Sequence, residues 1–272
     1  MAIFMAMPLP CSVGARMAQK SIKELGEALA RAGRLTAKPL CIYGADEPPM
    51  GGIPIGKVHR CIPRAIMMVA VKDHPPLYIG NEFLDGCCPG GQTWLGYVPI
   101  SPGLKHFISF GSPTFRNGAA EYLKATPDLV EESWKQVGKI TPLANVLVIT
   151  TTEKAPEDAE VRSVLLFGNG EQVRNLCALN HFCTSDVYSS ILMPWGPTCS
   201  TFISYPAGLA EKAPKDALFV GPVDPTSNEW FPPSMMAVAM PILTARRLVE
   251  NLDASFIMKR PKVAYPEQRD AL

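Results

Sequence analysis

The sequence predicts an α/β (or α+β) protein, a single compact domain over residues 1–272 with a mixed sheet and flanking helices. Three observations predict it. Helix-like and strand-like apolar patterns alternate along the chain, with no internal repeat and no low-complexity linker. Apolar residues make up 47% and charged residues 19% of the 272 positions, so the chain can bury a sizeable core and is not disordered in the main. The 27 prolines call for many turns and speak against a bundle of long helices.

Residues 1–16 read as a loose N-terminal arm. They are apolar but broken by Pro8 and Pro10, they lack the basic start of a signal peptide, and Cys11 after Leu9-Pro10 is a poor lipoprotein site. Residues 17–32 carry Ile22, Leu25, Ala28 and Leu29 at helical spacing, with Gly33 as a stop. A short strand over 39–43 runs into a turn-rich loop over 45–52. The apolar run 61–71 suits helix or strand, and Pro63 near its start suits a first helical turn. In 81–96 a tight loop, Gly86-Cys87-Cys88-Pro89-Gly90-Gly91, precedes a short helix opening at Thr93. Helices are expected over 119–124 and 128–137, and strands over 145–151 and 163–167. Gly168-Asn169-Gly170 then turns the chain into a helix over 171–179 with Asn169 as its cap. A late strand over 218–221 and an amphipathic helix over 239–252 follow, and 254–272 form a charged, Pro-containing tail that wraps the surface or a partner.

Several function classes lose support. The net charge is +1, from 26 basic and 25 acidic residues, so nothing steers the chain toward nucleic acid. No apolar stretch is long enough for a membrane span. A cytoplasmic location is expected, with reduced thiols. Gly51-Gly52-Ile53-Pro54-Ile55-Gly56-Lys57 mimics a phosphate-binding loop, but Val58 stands where a Mg²⁺-binding hydroxyl is needed and Pro54 removes an N–H from the cradle. Gly168-Asn169-Gly170 lacks the third glycine of a dinucleotide fingerprint. The four histidines show no zincin spacing, and no Gly-x-Ser-x-Gly elbow occurs.

Eight cysteines remain to be explained. Reduced thiols serve as small hydrophobes, as nucleophiles or as metal ligands. No Cys-x-x-Cys pair occurs, so any metal site must be assembled by the fold. Cys41 and Cys177 lie in apolar contexts and read as core filler. Four other segments sit in Gly/Pro-rich or polar surroundings: His59-Arg60-Cys61-Ile62-Pro63, Cys87-Cys88-Pro89-Gly90-Gly91, Phe182-Cys183-Thr184-Ser185-Asp186 and Pro197-Thr198-Cys199-Ser200.

These segments resemble the domain of unknown function 169 family, the uncharacterised ArCR family of archaea and bacteria, over about residues 22–252. The carriers are Cys88-Pro89-Gly90-Gly91 with Leu95-Gly96, Leu165-Leu166-Phe167-Gly168-Asn169, Cys183-Thr184-Ser185-Asp186, Cys199 and the C-terminal amphipathic helix. Cys61, Cys88, Cys183 and Cys199 fill the four cysteine places of the family pattern. Cys87 doubles the second place and is an alternative to Cys88. Ser200-Thr201-Phe202 replaces the family's polar Gly-Asp-Arg element. The family has no established activity to carry over; its frequency in anaerobes and methanogens suits an oxygen-sensitive cofactor.

The resemblance implies a four-thiolate set, which fits a 4Fe–4S cluster or, as the alternative, Zn²⁺. Arg60, Lys57 and the N–H groups of Gly90-Gly91 would favour thiolates and hydrogen-bond sulfide. Three functions follow. The first is an iron–sulfur protein with a redox or electron-transfer role and a redox partner. The second is an enzyme acting on a small anionic substrate through a cysteine or an open cluster, beside Asp186, His181 and Arg64; Asp186 also suits a helix cap and His181 a helix end. The third is a non-catalytic subunit whose interface is marked by Trp230-Phe231-Pro232-Pro233, against which stands ordinary core packing of Trp230 and Phe231. A homo-oligomer is the common arrangement.

Overall fold

Within 161–169, Val164 and Leu166 belong to one buried core, Leu165 and Phe167 to another. Successive side chains of a strand point to opposite faces, so a strand apolar on both needs cover on both sides. That requirement organises the computed structural model, which describes residues 20–226 and 231–266. The N-terminal arm, Trp230 and the last residues of the tail lie outside the described residues.

The elements run α1 (Ile22–Gly33), β1 (Leu40–Ala45), β2 (Ile53–Pro54), α2 (Ile55–Val58), α3 (Ile62–Lys72), β3 (Leu77–Gly80), α4 (Pro89–Trp94), α5 (Leu104–Ile108), α6 (Pro127–Val137), β4 (Val146–Thr151), β5 (Val161–Asn169), α7 (Gly170–Phe182), β6 (Ile191–Leu192), β7 (Leu218–Gly221), β8 (Met235–Pro241), α8 (Ile242–Glu250), α9 (Phe256–Lys259) and α10 (Pro261–Ala264). The strands form one mixed sheet in the order β2-β3-β4-β1-β5-β8-β7-β6. Its interior pairs are antiparallel. The two edge pairs, β2 with β3 and β6 with β7, are parallel. Each parallel pair needs a crossover connection, and those crossovers carry much of the site.

One face is covered by α1, α7 and α8, whose Leu25, Leu29, Leu176, Leu179 and Leu248 pack on Val164, Leu166, Val238 and Met240. The other is covered by α3, α4 and the π-type turn Ser200–Ser204, through Ile62, Ile66, Trp94 and Phe202. Helix starts are set by capping. Ser21 and Glu24 form a reciprocal capping box on α1, and Asn169 and Gln172 form another on α7, each satisfying two backbone donors.

The elements differ from expectation in three places. The apolar pattern predicts helix over 239–252, yet β8 occupies the start of that range, paired along its length with β5, and the helix begins only after Pro241. Residues 119–124 are irregular, not helical. Glu121, Tyr122 and Leu123 donate their N–H groups to the carbonyls of Phe107, Ser109 and Ile108, and Tyr122 has φ +55°, a left-handed conformation that breaks a helix. The helix expected at Thr93 begins four residues earlier, at Pro89, with Cys88 as its cap. The tail turns through α9 and α10 and is tied down by Tyr265, whose buried hydroxyl donates to the Ala32 carbonyl at 2.7 Å.

Phe231 is part of the core. It is buried against Phe167 and Phe202, with ring centroids 6.1 and 5.8 Å away.

The glycines of the false phosphate loop have a packing reason instead. A Cβ on Gly56 would stand 1.9 Å from the Asp85 carbonyl oxygen, and Gly86, at φ +80°, leans on the Gly56 backbone in return. This backbone crossing fixes α2 against the loop that carries Cys87 and Cys88. Gly56→Ala is expected to cost about 3 kcal/mol or more, because the obstacle is backbone rather than a movable side chain. Gly90→Ala, with nothing within 4 Å of its Cβ, should stay within about 0.5 kcal/mol of the parent. Urea midpoints of the two variants, at unchanged m-value, check both.

Candidate functional site

Cys61 and Cys88 each stand at the N-cap of a helix, in extended conformation and just ahead of a proline that opens the helix. Proline tolerates the first turn because its missing N–H would have no partner there. The two caps are neighbours: the Cys88 N–H donates to the Arg60 carbonyl at 2.9 Å. The Cys88 sulfur accepts the Gly91 N–H at 3.3 Å. The Cys61 N–H donates to His59 Nδ1 at 2.9 Å, so that ring nitrogen carries no proton and a neutral His59 holds its proton on Nε2. Cys199 lies in the crossover between β6 and β7 and is 3% exposed.

All three cysteines line one cleft of about 750 Å³, within the size range of small-molecule sites. Its walls are largely apolar, with Trp94 and Trp195 meeting edge to face at 6.3 Å. Tyr205 braces that wall, donating its hydroxyl to the Trp195 carbonyl at 2.8 Å, and the Ser204 hydroxyl donates to the Trp94 carbonyl. The roof is the long β3–β4 connection, through Leu104, Phe107, Ile108 and Leu123. A Lys105–Glu131 ion pair at 2.8 Å ties α5 to α6, and Lys124 sits over the Trp195 ring at 4.5 Å.

Besides the cysteines, His59, Arg60, Arg116, Glu121 and Asp224 line the cleft. Asp224 is buried, and its Oδ1 accepts from the Thr226 N–H at 2.9 Å and hydroxyl at 2.7 Å. Glu121 is held above the usual carboxylate range by burial, and then by Asp224, against a smaller opposing pull from Arg116. The Arg116 guanidinium lies over the Phe107 ring at 4.4 Å. Burial pushes the Cys199 thiol far above its ordinary range, and Cys88, Cys61 and Asp224 push it further. Negative charge on any of these three neighbours opposes ionisation of Cys199.

Of the sequence-predicted ligands, Cys61, Cys88 and Cys199 meet at the cleft and Cys183 does not. Cys183 ends α7, on the opposite face of the sheet, and its thiol donates to the Arg247 carbonyl on α8 at 4.0 Å. Burial raises its pKa and Arg247 lowers it. Cys87 points into the core, 6% exposed, with its pKa pushed up to about 11 by burial. Among the described residues, no group of three or more His, Cys, Asp or Glu side chains is arranged around one metal ion.

The suggested acid–base groups lie elsewhere. His181 is on the last turn of α7. Asp186 caps no helix: its Oδ1 accepts the Tyr188 and Ser189 N–H groups, each at 3.0 Å, in the loop beyond. Arg64 lies on α3 but does not line the cleft, and neither does Lys57. Glu121, Asp224 and Arg116 carry no sequence signal beyond an Asp-Pro-Thr turn at Asp224. They arrive through the fold alone.

The model of domain of unknown function 169, described as uncharacterised ArCR, matches residues 28–251. The chain belongs to this family. The ArCR match takes in all the strands of the sheet and all the cleft-lining residues named above. No curated protein and no solved structure matches the chain. Among the described residues no helix is long and apolar enough to cross a membrane.

A pH test follows from Glu121. Its folded pKa is raised, so the folded state binds the proton more tightly than the unfolded state, whose value is about 4.3. Stability then falls as pH rises from that value through the folded pKa, and the full penalty is present above it. Glu121→Gln is expected to raise the melting temperature near neutral pH and to leave it almost unchanged near pH 4. Thermal scans at the two pH values read the difference.

Proposed function

We propose that this ArCR chain is an iron–sulfur protein whose cluster is held in the cleft by Cys61, Cys88 and Cys199, with one iron left open to a small ligand. The observation that carries the reading is the meeting of three cysteines from three separate connections at one cavity. A mononuclear zinc site needs its ligands converging on a single point, and the described residues offer no such group. In a cubane cluster each thiolate binds a different iron, so the sulfurs stand further apart around a larger centre. That requirement fits thiols that share a cavity without closing on one point. When bound, the cluster would supply one-electron redox chemistry or an open iron as a Lewis acid. The chain's own part is to hold the thiolates, place the Gly91 N–H at the Cys88 sulfur, and keep water from the Cys199 side.

A second reading, an enzyme acting on a small anionic molecule, is favoured by the size of the cleft and by the two arginines, Arg60 and Arg116, on its lining. The two readings are compatible, because an open iron faces the same space.

Strictly anaerobic purification, with iron and acid-labile sulfide quantified, tests the proposal. About four irons and four sulfides per chain are expected. Cys61→Ser, Cys88→Ser and Cys199→Ser should each hold the cluster at least about ten-fold less well, since even groups one layer out from a metal cost that much. Cys183→Ser should keep it. A protein without iron or sulfide after reconstitution would overturn the proposal. So would a Cys183→Ser variant as depleted as the other three.

A further inference from the structure

We propose that Cys61 and Cys88 form a reversible disulfide when the cleft holds no metal. Both are thiols in the structure and both are partly exposed at the cleft. The inference stands on their geometry and does not depend on the cluster.

The hydrogen bond from the Cys88 N–H to the Arg60 carbonyl, 2.9 Å long, joins the peptide immediately before Cys61 to Cys88 itself. Standard backbone dimensions then hold the two Cα atoms within about 7 Å of each other, the limit for a disulfide. The two caps are also close-packed, and both cysteines line the same cleft. A Cβ on Gly91 would stand 3.2 Å from the Cys88 sulfur and 2.4 Å from Cδ1 of Ile62, the residue after Cys61. The absence of a side chain at Gly91 is what lets the two helix starts approach. Pro63 and Pro89 stiffen both caps, so little chain entropy remains to be lost on closure. Cys199 faces the same cleft but is 3% exposed, which shields it from reagents in solution.

The chemistry is exchange with a small-molecule disulfide. The Cys88 sulfur, which already accepts the Gly91 N–H, attacks one sulfur of the reagent and expels the other half as a thiolate. The Cys61 sulfur then attacks Cys88 in this mixed disulfide, closes the Cys61–Cys88 bond and releases the second half. Two protein thiols are oxidised and one external disulfide is reduced to two thiols, which take up the two protons.

The test uses the full-length chain, reduced in the presence of a chelator and then exposed to oxidised glutathione. After acid quench and alkylation, the linkages are mapped by peptide mass spectrometry. The expected result is loss of two of the eight thiols, with a peptide cross-linked through Cys61 and Cys88 that dithiothreitol reverses. Cys61→Ser should instead stop at a glutathione adduct on Cys88. The proposal is overturned if Cys61 and Cys88 are both alkylated, if Cys88 is joined to another cysteine, or if the parent chain also stops at the adduct. Iron and sulfide assays on the anaerobic protein, before chelation, test the cluster separately, so either proposal can fail alone.

Discussion

Burial of the sheet on both faces is the constraint on which the rest depends. Leu40, Ile42, Leu165, Phe167, Ala237 and Ala239 face one core, while Val164, Leu166, Val238 and Met240 face the other. With neither face open to water, every connection has to run on one side or the other. The side it takes decides which residues can meet. The β2–β3 crossover brings Cys61 through α3 onto the face that holds Phe202 and Trp94. The β6–β7 crossover brings Cys199 onto the same face, and the β3–β4 connection brings Cys88. Helix α7 lies on the far face, and Cys183 goes with it. The grouping of three thiols is thus a consequence of topology, fixed before any local chemistry acts.

Local devices then refine the position. The Gly56–Gly86 crossing brings two backbones closer than any side chain allows and holds the cysteine loop against α2. Cys87 and Cys88, adjacent in sequence, part company there. Cys87 turns into the core, and Cys88 turns to the cleft as the cap of α4. The resulting site is electrostatically unfavourable for anions left alone. Charge on Cys61, Cys88 or Asp224 opposes charge on the buried Cys199, and Glu121 is already pushed toward its neutral form. A bound cation would invert that balance, because it deprotonates coordinating thiols outright. Without one, protonation would relieve the same crowding, as would the proposed joining of two sulfurs.

The sequence made the two-sided architecture legible where patterns were local. Asn169 as a cap, the stop at Gly33 and the apolar strands over 145–151 and 163–167 all correspond to real elements. It misled where tertiary pairing overrode local pattern. The run Met235 to Met240 has no polar positions to mark a period of two, since both its faces are buried between β5 and β7, so its end merges with the helix that follows. The stretch 119–124 has helix-forming residues but hydrogen-bonds to 107–109 instead. The cysteines show the same limit. Gly/Pro-rich surroundings picked out Cys61, Cys88 and Cys199, all at the cleft, yet the same kind of reasoning also picked out Cys183, because a polar loop looks alike on either face of a sheet. Glu121 and Asp224, more than 100 residues apart in the chain, could be joined only by the fold.

The count of three, rather than four, has chemical consequences. A closed four-thiolate site leaves a metal no vacant position and suits a structural or purely electron-transferring role. On the proposed reading, three thiolates at the edge of a cavity of about 750 Å³ would leave a coordination position facing open space. That space is walled by Trp94 and Trp195 and reached by Arg116 and Glu121. An aromatic wall with a few charged groups is how proteins orient a small organic molecule. Glu121 adds a carboxyl whose proton is held more tightly than usual by burial and by Asp224. On the proposed reading, such a cleft would suit a site that binds a small molecule over one that only stores an electron, and the bound molecule would meet Cys61 and Cys88 where two helix starts converge.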